Sequence, residues 1–138
     1  MITENRLHHI IGVARKAYKI AKDLGYDEEF ARKCFALGWN HDIGYEFDPI
    51  NHATIGSDIL GNFDNGGAIR NHGKVVENQT DEWLIVNLAD MTTSPLGDEV
   101  TIDERLAEIE SRYGNTHEWF LDTKAVCEIL KEKFKYYL

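Results

Sequence analysis

A chain of 138 residues has room for one hydrophobic core and too little for two well-formed ones. Hydrophobic residues at 43% and charged residues at 28% are those of a folded globular domain and exclude a disordered or fibrous class. A formal charge of -9 opposes binding to nucleic-acid polymers or anionic membranes, and any small anionic ligand must meet a local cation.

The N-terminal stretch MITENRLHHI turns charged at once, without the apolar run of a signal peptide, and no segment approaches the length of a membrane span. A cytoplasmic protein is therefore expected. Apolar residues recur three and four apart while strict alternation is absent, which predicts an all-α fold with helices over about residues 3–24, 28–40, 51–60, 65–72, 80–93, 102–113 and 117–136. Gly25 can end the first helix, Asp27 can cap the second, Gly61 can end the third, and Thr101 with Glu104 forms a capping box. GYEFDPIN at 44–51 and GKVVENQT at 73–80 read as loops that can form the mouth of a site. The expected organisation is one domain, with 96–138 as a helical extension packing on it. In the last helix Val126, Ile129, Leu130 and Phe134 share one face, which can pack on its own domain or on a second subunit, so a homodimer is possible. Cys34 and Cys127 have no C-x-x-C spacing, which excludes a cysteine-built zinc site and leaves both as reduced core residues.

The six histidines sort by the helical stripe each one shares. His8 runs on to Gly12, Arg15, Lys19 and Lys22, a solvated face. His9 runs on to Val13, Ala17, Ile20 and Leu24, an apolar one. His41 follows Phe30, Cys34 and Leu37, and Asp42 follows Ala31, Phe35 and Gly38, so both are expected to face packed structure. His52 lies with Ile55, Gly56 and Ile59, His72 with Ala68 and Ile69, and His117 sits among polar residues at a helix start. Asp90 falls within the apolar run WLIVNLADM, where an isolated ionised carboxylate is strongly disfavoured, and no lysine or arginine between Asp81 and Asp103 can pair with it locally.

Any one inward histidine is most simply a hydrogen-bonded core residue. Four inward imidazoles and two inward carboxylates on five segments are harder to satisfy separately, and a divalent cation satisfies several at once. Imidazole nitrogen with carboxylate oxygen fits iron, manganese, cobalt, nickel or zinc better than calcium, as one ion or two.

These residues resemble the HD-domain superfamily of metal-dependent phosphohydrolases. RLHHIIGVA is similar to the first-helix pattern, in a register that selects His9; HDIG carries the paired His41 and Asp42; NLADM matches the last ligand at Asp90. NHATIG and AIRNHG resemble the histidine segments of two-metal members, matching His52 and His72. The resemblance spans roughly residues 6 to 95 and is nearest to small bacterial proteins similar to symmetrical diadenosine tetraphosphate hydrolases. It implies a compact multi-helix bundle that hydrolyses a nucleotide or other small phosphoester with metal-activated water. In that reading His9, His41, Asp42 and Asp90 hold one metal, and Asp42 bridges to a second held by His52 and His72. The superfamily commonly has lysine after HDIG, where this chain has Tyr45. Arg70 and Lys74 are candidates for phosphate contacts, against a plain reading as surface charges. Glu46 or Asp48 can carry a proton or brace a ligating histidine, and Trp39 and Trp83 read as core rather than base-stacking residues. Two other readings compete: a di-iron oxygenase of the same superfamily, and a metal-binding signalling module without turnover.

Overall fold

Short polar residues set where the helices begin. The computed structural model describes residues 2–42, 50–60 and 67–138. Within them lie α1 (Glu4–Asp23), α2 (Glu28–Asn40), α3 (His52–Leu60), α4 (Asp81–Met91), α5 (Ile102–Tyr113) and α6 (Glu118–Lys133), so the fold is all-α. Side chains of Thr3, Asp27, Thr80 and Thr101 accept hydrogen bonds from the first-turn amides of α1, α2, α4 and α5, each a cap worth about 1 kcal/mol. The expected capping box is present: Thr101 and Glu104 satisfy each other's backbone amides. No helix among the described residues is long and apolar enough to cross a membrane.

α1 and α2 form the main helix pair, with α4 packed against both, while α5 and α6 pack on each other and on α4. The central helix is the one whose sequence is apolar nearly all round: Trp83, Ile85, Val86, Leu88 and Ala89 are each 1% exposed or less. The apolar face of α6 is covered within the chain, since Val126 and Leu130 are fully buried and Phe134 nearly so. Cys34 and Cys127 are free and buried, and burial pushes each thiol up to about 12.

Three expectations require correction. Residues 67–73 do not form a helix. One turn closes through Asn71 N–H to the Gly67 carbonyl, after which the bonds tighten to i→i-3, and Gly67 and Gly73 take φ of 70° and 80°, which helical backbone cannot. Trp39 is 43% exposed, stacked beside Phe35 on the outer face of α2, and so is not a core residue, although Trp83 is. Leu24 lies past the last turn of α1 and is 40% exposed. Gly61 and the segment 44–49 lie outside the described residues.

Gly38 lets α2 approach α1 closely: a Cβ there would stand 3.0 Å from Ala14 Cα and 3.1 Å from the Val13 carbonyl oxygen. Backbone cannot swing aside as a flexible side chain can. Gly38→Ala is expected to cost about 1–3 kcal/mol through overpacking, read as a lower denaturant midpoint at unchanged m-value. The same residue's carbonyl fixes a site histidine, so the displacement should also weaken metal binding.

Candidate metal centre

α2 ends at Asn40, and the turn at His41 and Asp42 brings both side chains to one centre. Adjacent residues inside a helix could not do this. His41 is fully buried and Asp42 is 2% exposed. His9 comes from the buried face of α1 and is 1% exposed, whereas His8 is exposed, as their stripes imply. Asp90 comes from the last turn of α4, His52 opens α3, and His72 rides on the turn that stands where a helix was expected.

Asp42 is the common element. Its Oδ2 lies 3.1 Å from His41 Nε2 and 3.7 Å from His9 Nε2, while its Oδ1 lies 3.3 Å from His52 Nε2 and 3.5 Å from His72 Nε2. Asp90 Oδ1 is 2.9 Å from His9 Nε2 and 3.6 Å from His41 Nε2. Donor atoms of His9, His41 and Asp42 form one set within 4.8 Å of one another, and those of Asp42, His52 and His72 form a second.

The imidazoles are held by their other nitrogens. Nδ1 of His9 donates to the Ser94 carbonyl at 2.9 Å, that of His41 to Gly38 at 2.6 Å, and that of His72 to Ile69 at 2.6 Å. A carbonyl only accepts, so each Nδ1 carries a proton and Nε2 is the atom turned into the site, where a cation can take the place of any proton it holds, the arrangement that prepares a histidine to ligate. His41 Nε2 is buried and, among the described residues, has no hydrogen-bond partner; Asp42 is close but off the bonding direction. His52 Nε2 and His72 Nε2 face each other at 2.9 Å, so one of the two must carry the intervening proton, a position a cation can take. The donor set thus fits divalent transition metals.

Charge is balanced by arginines of α1 and α5. Arg6 donates to Asp42 Oδ2 at 3.0 Å, and Arg105 NH2 stands 3.9 Å from Asp90 Oδ1, supplying the cation that α4 lacks. Burial lowers the proton affinity of His41, but the charge of Asp42 outweighs it and raises His41 to about 10. Burial likewise pushes Asp42 and Asp90 up, yet His41 with neighbouring imidazoles holds both carboxyls well below the usual range.

The centre opens into a cleft of about 230 Å³. Lys74 lines it; Arg70 does not line it and pairs with Asp58 on the surface. Glu46, Tyr45 and Asp48 lie outside the described residues. His117 is exposed and caps α6 through its Nδ1. A more open depression of about 400 Å³, beside His8, Arg15 and Lys19, contains none of the six converging residues.

Two features were missed from sequence. Arg105 stands on the buried stripe of α5 with Ile102 and Ile109, and the exposed Arg112 follows one turn on at the rim of the cleft, at spacings that could have revealed both. Asn87, 1% exposed, accepts from Gly73 N–H at 2.7 Å and donates to the Trp83 carbonyl, while Trp83 Nε1 donates to the Asn71 carbonyl at 3.1 Å. These bonds clasp the turn carrying His72 onto α4. Asn87→Leu is expected to cost about 1 kcal/mol by orphaning the half-buried Gly73 amide. It should also weaken one metal site by about 10- to 100-fold while sparing the other, which metal titration resolves.

The HD domain profile matches residues 6–94, more than half of the chain. Neither the curated proteins nor the solved structures gave a match.

Proposed function

Since the chain belongs to the HD domain family, part of a superfamily of metal-dependent phosphohydrolases, we propose that it hydrolyses a small anionic phosphoester, a nucleotide included, at the centre built around Asp42. The observation that carries this reading is the division of one buried carboxylate between two imidazole sets, Oδ2 toward His9 and His41 and Oδ1 toward His52 and His72. His9, His41, Asp42 and Asp90 would hold one divalent ion, and Asp42, His52 and His72 a second. When bound, such ions supply an acidified water and neutralise phosphate oxygens.

The chain's own residues do the rest. The carbonyls of Ser94, Gly38 and Ile69 keep protons on Nδ1 and fix each ring, so ligation costs little reorganisation. Arg6, Lys74, Arg105 and Arg112 line the cleft and offset Asp42, Asp90 and Asp122, which lets an anion approach a chain of net charge -9. Met91, Pro95 and Ile109 supply apolar wall that limits water around the reacting phosphate.

The test is phosphate release from a panel of mononucleotides, symmetrical diadenosine tetraphosphate and aliphatic phosphoesters, with manganese, cobalt, iron, nickel or zinc added. Hydrolysis that requires metal and stops on chelation is expected. Metal-replete protein that releases phosphate from nothing in the panel overturns the reading.

A further inference from the structure

α5 and α6 lie beyond the matched residues 6–94, yet both reach the cleft. They bring two guanidiniums and two aromatic rings. Arg105 is 8% exposed, a burial that a guanidinium tolerates only when paired. Its NH1 donates to Glu108 Oε2 at 2.6 Å, and its buried Nε has no partner among the described residues. Arg112 pairs with the same carboxylate, Nε to Oε1 at 2.6 Å. Glu108 thus serves both arginines and Asp90 faces Arg105 at 3.9 Å, so these four groups balance in charge, while guanidinium N–H donors beyond these contacts remain beside Asp90, where an anion's oxygens can be received.

Next to the arginines stands an aromatic wall. Tyr113 and Trp119 meet edge to face with centroids 5.2 Å apart, and the Arg112 guanidinium lies 5.2 Å from the Tyr113 centroid. Trp119 is 42% exposed and lines the cleft, so its ring is open to a ligand. A planar group can stack there while a phosphate attached to it reaches the arginines.

We infer that α5 and α6 add a recognition subsite to the metal centre, with Arg105 and Arg112 receiving phosphate and Tyr113 and Trp119 receiving a flat aromatic ring. The substrate class is then a nucleoside phosphate rather than an aliphatic phosphoester. The inference rests on the phosphohydrolase reading for its chemistry and on α5 and α6 for its selectivity.

The test compares binding of the 5′-phosphonate analogues of adenosine and of ribose, whose carbon–phosphorus bond is not hydrolysed, to manganese-loaded protein by calorimetry and tryptophan quenching. Wild type is expected to favour the adenosine analogue by roughly tenfold or more, the usual scale of base–aromatic stacking. Trp119→Ala should bring the two affinities together without weakening the ribose analogue. Arg112→Gln should weaken both by about tenfold. Equal binding of the two analogues by wild type, or a preference that survives Trp119→Ala, overturns the subsite. Phosphate release from the mononucleotide panel tests the chemistry separately: discrimination between the analogues with no hydrolysis of any nucleotide leaves the subsite standing and removes the phosphohydrolase reading, and hydrolysis without discrimination does the reverse.

Discussion

Asp42→Asn is expected to empty both metal sets together and to lower phosphate release by more than about 100-fold, since outer partners of a metal ligand alone account for about 10- to 100-fold. The substitution keeps the side chain's shape but replaces one anionic oxygen with an amide nitrogen. Either rotamer leaves one set facing N–H donors, which cannot ligate. Both sets depend on the charge that is lost, because Oδ2 serves His9 and His41 while Oδ1 serves His52 and His72. Elemental analysis of the purified variant separates this from simple unfolding: retained helicity with metal content near zero is the expected pair of results. A variant that keeps one full equivalent of metal would show that the carboxylate is not shared.

The same carboxylate marks how far the sequence could be read. His9 was separable from His8 because an amphipathic helix repeats faithfully, and the two differ in whether Val13 or Gly12 follows. Asp42 was harder, since its placement depends on where α2 stops and on the turn at 41–42. The turn at residues 67–73 was misread for a physical reason: Ala68 and Ile69 are apolar and fully buried, like helix residues, but the glycines flanking the turn adopt positive φ and the backbone is fixed by Asn87 and Trp83 from α4. No local pattern reveals a bond made fourteen residues away. Arg105 is the opposite case. An arginine between the buried Ile102 and Ile109 signals a buried cation in need of an anion, and Asp90 is close to it in the fold.

Removal of metal should make stability depend on pH in a window that bound metal abolishes. In the chelated protein His41, raised to about 10 from an ordinary value near 6.5, contributes stability that is complete below about pH 6.5 and lost as pH rises toward 10. Asp42 and Asp90 are shifted the other way, so their contribution is present above about pH 4 and lost as pH falls further. The chelated protein should therefore melt highest between about pH 4 and 6.5, with Tm falling from pH 7 to 9. Metal requires the unprotonated Nε2 of His41, so proton and cation compete for one atom and the gain in Tm on adding manganese should widen over that same interval. His41→Gln removes the titrating ring and should flatten the chelated profile above pH 6.5. A chelated wild type whose Tm is level from pH 7 to 9 would mean that His41 is already neutral there, with its charge role taken by Arg6 at Asp42 and Arg105 at Asp90.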